Sequence, residues 1–319
     1  MSTAAKNPFP LSDDNKRYQT YSYYLKHRFG RKVYKVPLNL SLSCPNRDGS
    51  KGTGGCKFCS SAMSGEFAGD PAQDIRTQFE SIRRVMEKKW QGGLCIPYFQ
   101  SGSNTYTDTA TLDRMLCAAA SLDDVAGISI ATRADCLDEE KCALLGEYAK
   151  DLYLVCELGL QTVHDTTAAA MNRCHTYECF LEGYRMLRRH GVNVCVHIID
   201  GLPGETHEMM LETARAISQL DIHMVKIHLL NILKNTPLEK MYKDGEFEAM
   251  DFYDYVCTVA DQIELFPKEF IIGRITGDGA KEELIAPMWS RDKFRVINSI
   301  DKELLSRDSY QGKRYERET

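Results

Sequence analysis

Three cysteines, Cys44, Cys56 and Cys59, stand in the spacing Cys-x11-Cys-x2-Cys. A Cys-x-x-Cys turn brings two thiolates within reach of one metal centre. Glycines at 49, 52, 54 and 55 let the intervening backbone fold tightly enough to deliver the third. Cysteines so placed serve an iron–sulfur cubane with one iron left open, a zinc site, or a cluster of plain buried thiols. A structural zinc takes four protein ligands, and the loop from Cys44 to Cys59 offers no fourth Cys or His. The incomplete shell favours the cubane, whose open iron can chelate a substrate. The remaining nine of the twelve cysteines lack metal spacing and read as core thiols.

These thiols need a frame. Apolar strand-like runs occur at 33–42, 94–99, 127–132, 152–160, 192–199, 223–230 and 270–275, with helical patterns between them. Strands separated by helices imply βαβ units and a parallel sheet. The fold expected is α/β, a partial, open TIM-like (βα)6 barrel of parallel strands over 33–276. A Tyr-, Lys- and Arg-rich extension, 1–32, precedes it, and a cap and polar tail, 277–319, follow. In such barrels chemistry gathers in the loops after the strands, and the cysteine loop follows the first.

Strand alternation turns Glu157, Gly159 and Gln161 inward, then Cys195, His197 and Ile199, then Lys226 and His228. Arg133 and Arg274 end the third and seventh strands. An inward Glu157 is either used or bridged to a neighbouring Lys or Arg. An inward His197 is either a pocket ligand or a satisfied core residue. Lys226, His228 and Arg274 are the candidate catalytic groups. With Arg133 they point to an anionic substrate, the other reading being charge balance for inward acids.

The chain has 319 residues, 43 % of them hydrophobic, with 40 Lys plus Arg against 45 Asp plus Glu, a net charge of −5. That excludes a disulfide miniprotein and a disordered chain. No apolar run approaches the ~18 residues of a membrane span, so no membrane partner is expected. The opening residues hold no secretion-type apolar stretch, which places the expected location in the reducing cytoplasm. Net acidity argues against nucleic-acid binding by charge alone and leaves room for a local basic patch.

The segment Cys44-Pro45-Asn46-Arg47-Asp48-Gly49, with Phe29-Gly30 before it and Gly54-Gly55-Cys56 after it, resembles the radical S-adenosylmethionine (SAM) superfamily. Within it, the sequence resembles the YhcC/YtqA family, short relatives of the catalytic subunit of Elongator. The resemblance implies a [4Fe–4S] cluster on Cys44, Cys56 and Cys59, SAM as cosubstrate, and a low-potential electron donor of flavodoxin or ferredoxin type. It implies that Glu157 and Gln161 belong to the SAM-binding segment, with Gln161 on the ribose and Arg173 on the methionyl carboxylate. His197 stands where related enzymes carry an Asp that touches the ribose. The resemblance also implies that the turn carrying Gln100, Ser101 and Asn104 holds the SAM amino group. The likeness to Elongator implies tRNA as partner and the wobble-uridine side chain as substrate. Tyr18, Tyr21, Tyr23 and Tyr24 are then candidates to stack on bases. Arg83-Arg84, Lys88-Lys89 and Arg188-Arg189 are the basic pairs available to phosphates. The alternatives are the same chemistry on a small metabolite or protein side chain, and a zinc-stabilised binding module without catalysis.

Overall fold

The computed structural model describes residues 7–63, 65–277 and 282–317. Residues 1–6, 278–281 and 318–319, part of the two extensions read from the sequence, lie outside the described residues. Helix α1 (Tyr21–Phe29) leads into β1 (Val33–Leu38), and α2 (Ile75–Glu87) into β2 (Leu94–Phe99). The alternation continues through α3 (Thr109–Ala120), β3 (Gly127–Thr132), α4 (Glu139–Asp151), β4 (Tyr153–Gln161), the short α5 (Asp165–Ala170), α6 (Tyr177–Arg189) and β5 (Asn193–Asp200). Helix α7 (His207–Ser218) and β6 (Met224–Leu229) follow, then β7 (Ile232–Leu233), α8 (Pro237–Lys243), α9 (Phe252–Leu265), β8 (Ile271–Arg274), β9 (Leu284–Ala286) and α10 (Lys293–Ser306). Side chains of Asp74, Asp108, Asp138, Thr176, Thr206 and Asp251 cap the six helices that cover the sheet. Each takes up a backbone N–H that the first turn leaves without a partner.

The main sheet runs β1-β2-β3-β4-β5-β6-β8, parallel throughout, and curls into an open barrel. The strands are apolar runs because both faces are covered. On the outer face Val36, Phe99, Ile130, Leu158, Val196 and Ile227 are fully buried against helices. On the inner face the first layer is also apolar: Val33, Ile96, Val155, Cys195, Met224 and Ile271. One pleat further along, the inward layer turns polar, with Lys35, Tyr98, Ser129, Glu157, His197 and Lys226. The change of character between the two layers marks where packing ends and the cavity begins.

Helix α1 seals the apolar end. Leu25 joins the inner core, and Tyr21, Tyr24 and Phe29 pack against it. Gln19 and Thr20, just before the helix, reach β8: Thr20 bridges Ile272, and Ile272 N donates to Gln19 O at 2.8 Å. The C-terminal tail locks this segment. Gln311 Oε1 accepts from Gln19 N at 2.8 Å, and its Nε2 donates to the carbonyls of Pro267 and Phe270 at 2.6 and 2.8 Å. No helix among the described residues is long and apolar enough to cross a membrane.

Tyr18, Tyr21 and Tyr24 of the first extension pack into the barrel core, where the sequence suggests base stacking. Tyr18 is only 4 % exposed in the core. Tyr24 meets Tyr153 and His223, with ring centroids 5.9 and 5.2 Å away, while Tyr23 lies tilted against His27 on the outer side of the helix, 4.1 Å between ring centroids. Aromatic bodies with polar tips fill a barrel end that needs both apolar area and hydrogen bonds.

Candidate active site

The cysteine loop leaves β1 and is held by its own side chains. Cys59 N donates to Cys56 O at 2.9 Å, closing the Cys-x-x-Cys turn. Arg47 donates to the carbonyls of Cys59, Ser60 and Ser61, so its guanidinium fastens the end of the loop to its beginning. Fully buried Asn46 donates through Nδ2 to Cys56 Sγ at 3.6 Å and to the carbonyl of Asn172. Asn172 in turn donates to Gly55 O at 2.8 Å, tying this loop to the one after β4. Glycine is required at 52, where a Cβ would run into Asn46 Oδ1 and lie 2.8 Å from Cys174 Sγ. It is required at 55, where φ is +79° and a Cβ would lie 2.9 Å from Arg47 Nε.

Cys44, Cys56 and Cys59 all line one cavity of about 950 Å³ at the barrel's polar end. Three sulfurs around a single tetrahedral zinc would lie ~3.8 Å apart, given a Zn–S length of ~2.3 Å. These three do not form a trio within 4.8 Å of one another. Three thiols lining one wall, in a loop with no fourth Cys or His, suit a cluster that puts each sulfur on its own iron. Burial, with Cys59 close by, pushes the Cys56 thiol up to about 12, and burial raises Cys59 as well. Arg133 acts on Cys56, and Arg47 on Cys59, in the opposite sense. The residues thus fit an iron–sulfur group, which takes the sulfurs as thiolates.

Above the cysteines, β4 ends on Gln161, whose φ of +64° turns it out of the strand. Gly159 makes this possible, because a Cβ there would lie 2.5 Å from Gln161 Nε2. Arg173 is 1 % exposed. It donates to Leu160 O, to Thr162 O at 2.7 Å and to His175 O at 2.9 Å, with Asp165 Oδ1 at 3.4 Å. The guanidinium therefore builds the rim that it lines. His175, beside it in the cavity wall, carries two buried ring nitrogens with no hydrogen-bond partner among the described residues. Burial and the charges of Arg173 and Arg133 push it down to about 3, so it is neutral. Such orphaned polar atoms fit a polar ligand such as SAM.

The turn after β2 divides. Gln100 and Ser103 line the cavity. Ser101 instead donates to Ala62 O at 3.0 Å, and Asn104 donates to Phe99 O and Ala131 O at 3.0 and 2.8 Å. Ser101 thus ties the turn to the segment after the cysteine loop, and Asn104 ties it to the ends of β2 and β3.

Glu157 lies at the cavity floor and is fully enclosed. It accepts from Lys35 and Lys226, from Ser129 Oγ at 2.7 Å, from Tyr98 OH at 3.0 Å and from His197 Nε2 at 2.8 Å. The two ammonium groups hold its carboxyl well below the usual range against the opposing effect of burial. Burial and Lys226 push His197 down to about 4, so the neutral ring donates its Nε2–H. The carboxylate is thus fully committed within the protein. Glu157, Cys195 and His197 come within 4.8 Å of one another, but the lysines already occupy the one carboxylate. Lys35 and Lys226 both lie over the Tyr98 ring, 4.2 and 5.0 Å from its centroid. His228 stacks on His197 at 5.0 Å, with its own Nε2 buried and unpartnered. Arg274 stands opposite Lys226 in the register and lines the same floor.

Of the site residues read from the sequence, all but Ser101 and Asn104 line this cavity. Lys35, Tyr98, His175 and Ser129 were not singled out. Alternation along β1, β2 and β3 carries the signal for Lys35, Tyr98 and Ser129. His175 sits in a loop without period. Of the six residues in the basic pairs, three are paired with acids: Arg83 with Asp124, Arg188 with Asp221 and Arg189 with Glu139.

Comparison with known proteins adds to this. A family model described as the Radical SAM superfamily matches residues 44–217, and one described as the Radical SAM C-terminal domain matches 222–306. The chain is 50 % identical over 311 residues to YtqA of Bacillus subtilis (strain 168), covering 98 % of this chain and 97 % of that one. A shorter likeness, 27 % over 125 residues, 38 % of this chain and 23 % of the other, joins it to a Methanocaldococcus jannaschii protein named tRNA uridine(34) acetyltransferase. Among solved structures, Methanocaldococcus infernus Elp3 superposes with a TM-score of 0.68 at 16 % identity, over 88 % of this chain and 64 % of that chain.

Proposed function

The chain belongs to the radical SAM superfamily, and from that premise we propose that it is a tRNA-modifying enzyme acting on the side chain of the wobble uridine. Its cofactors are a [4Fe–4S] cluster and SAM. Cys44, Cys56 and Cys59 would hold the cluster; Gln161, His175 and the Gln100 turn would hold SAM. Together the two supply hydrogen-atom abstraction from an unactivated carbon, driven by one electron from a low-potential donor of flavodoxin or ferredoxin type. The chain's own residues do the rest. Arg47 and Arg133 place positive charge beside the cysteine sulfurs. Arg173 fixes the rim. Helix α1 closes the far end against water, so that the reacting hydrogen is held in a defined place.

The observation that carries the wobble-uridine reading is the 125-residue likeness to a protein named for uridine 34 of tRNA. The cavity supports it with cations on its floor and the half-exposed Phe67 in its wall, an aromatic face for an unstacked base. The test is mass spectrometry of tRNA nucleosides from a deletion strain. Accumulation of an unfinished wobble uridine is expected. An unchanged profile, in a host that makes such modifications, overturns RNA in favour of a small-molecule substrate.

A further inference from the structure

The cavity does not end at the cysteines. Lys32, Tyr34, Met86 and Trp90 line it as well, so it continues as a groove along β1, the edge strand of the open sheet. Phe67 stands beside the end of that strand, where Gly69 N donates to Pro37 O at 3.1 Å. Trp90 stands beside its start, where Leu94 N donates to Lys32 O at 2.9 Å. At this start two ammonium groups meet one ring. Lys32 Nζ and Lys89 Nζ lie 4.7 and 4.9 Å from the centroid of the Trp90 indole, and Tyr34 packs against it at 5.4 Å. Both lysines are exposed, and neither has an acidic partner among the described residues. Arg84 and Lys88, at the same end of α2, are exposed and likewise unpaired with acids among the described residues. Like charges so close repel, and an indole face is a weak substitute for a counter-ion. Burial, with Lys89 beside it, lowers Lys32 from its ordinary value. An anion lying between the two lysines relieves this.

We propose that this groove is a track for single-stranded RNA, with a base stacked on Trp90 and the phosphates beside it held by Lys32 and Lys89. A strand that delivers one base past Phe67 into the cavity has its neighbouring nucleotides at the mouth of the groove. Aromatic faces set among cations hold single strands without reading their sequence, and the length of β1 separates the two rings. An acidic peptide supplies the charge but leaves both rings without a planar partner. Nor can it pair as a strand along the whole of β1, because Pro37 has no N–H to offer and its carbonyl already accepts from Gly69. A duplex keeps its base faces within its own stack and has none to lay on Trp90. The inference deepens the tRNA reading and rests on it only for which RNA supplies the strand.

The test uses the full chain with its cluster, titrated anaerobically into a fluorescein-labelled uridylate oligomer and read by anisotropy at several salt concentrations. Polyaspartate and an RNA duplex serve as competitors. Wild type should bind the oligomer, and neither competitor should displace it at equal charge. Trp90→Ala should weaken binding about tenfold or more with the salt slope unchanged, the loss of one stacked base, and Trp90→Phe should restore most of it. Lys32→Met and Lys89→Met should each lower the slope of log Kd against log salt by about 0.7, the value of one phosphate contact on a single strand. A structural role alone leaves that slope where it was. Lys150→Met, exposed on α4, should change neither quantity. Wild-type affinity in Trp90→Ala, or unchanged slopes in both lysine variants, overturns the track. Displacement by polyaspartate overturns it in favour of an acidic protein, and displacement by the duplex overturns the choice of a single strand. If Trp90→Ala does not fold, the two exposed lysines decide. Weakened binding in the variants together with unchanged tRNA nucleosides in the deletion strain keeps the track and overturns the wobble uridine. Altered nucleosides together with variants that bind as wild type does keep the wobble uridine and overturn the track.

Discussion

Cys44, Cys56 and Cys59 share one cavity wall, and as the three cluster cysteines of the loop each should be singly indispensable. Anaerobically reconstituted protein should carry about four irons per chain, and Cys44→Ala, Cys56→Ala and Cys59→Ala should each lose most of it. Iron and sulfide analysis checks this; full retention in any variant would sink the ligand set. Arg173 presents a different case. Its donors serve the carbonyls of Leu160, Thr162 and His175. Arg173→Ala should therefore cost about 2–4 kcal/mol in stability, since it leaves buried acceptors without donors, as well as weakening SAM binding. Urea unfolding measures the first effect and equilibrium dialysis the second. A variant as stable as wild type would return Arg173 to a purely ligand-binding role. Alternation made Glu157, His197, Lys226 and His228 legible as inward residues before any coordinates. The commitment of Glu157 to two lysines was not legible, because Lys35 lies on β1, 122 positions away along the chain. Ser101 and Asn104 could not be told from Gln100 and Ser103, since a turn has no period to say which side chain faces the ligand.

Among the elements, the strands were the most readable. Parallel strands covered on both faces are continuous apolar runs, and six strand–helix units plus β8 appear where those runs fall. Helix α1 was not readable. A stretch dense in Tyr, Lys and Arg resembles an RNA-binding surface, whereas its aromatic rings fill the barrel end. The pH response of that plug follows from His223, which pairs with Tyr153 OH at 2.7 Å. Burial, with Arg28 and Arg188 nearby, pushes His223 down to about 4. The unfolded chain protonates it near 6.5. Its folded value is therefore the lower one, and the unfolded state binds the extra proton between those two values. Its contribution is complete above pH ~6.5 and is lost as pH falls towards 4, by about 2–3 kcal/mol in all. Denaturant unfolding from pH 7 to 4 should show this decline, and His223→Gln should flatten it. An identical slope in the variant would assign the acid sensitivity elsewhere.

At the scale of the whole molecule, the open side of the barrel is closed by both chain ends acting together. Gln311, 1 % exposed, holds the Gln19 segment and the turn before β8 with three hydrogen bonds. Arg17 meets Asp308 Oδ1 at 3.0 Å, and Lys16 pairs with Asp301. Gln311→Ala should cost about 2–4 kcal/mol, because it leaves buried groups unpaired. It should also raise amide hydrogen exchange in residues 19–38 and 271–274 more than in β3–β5, by the logic of local opening. Uniform exchange across the sheet would show that the tail does not hold the seam.

This tie between the ends sets an order of events during synthesis. The ribosome delivers residues 17–29 first, but the strand they bridge, β8, comes some 250 residues later, and Gln311 later still. Domains generally fold as units, so this single sheet cannot close its apolar end until β8 and the tail are available. Helix α1 can seat fully only after β8 and Gln311 have emerged. The sealed end of the cavity is thus the part of the barrel whose completion waits longest on synthesis.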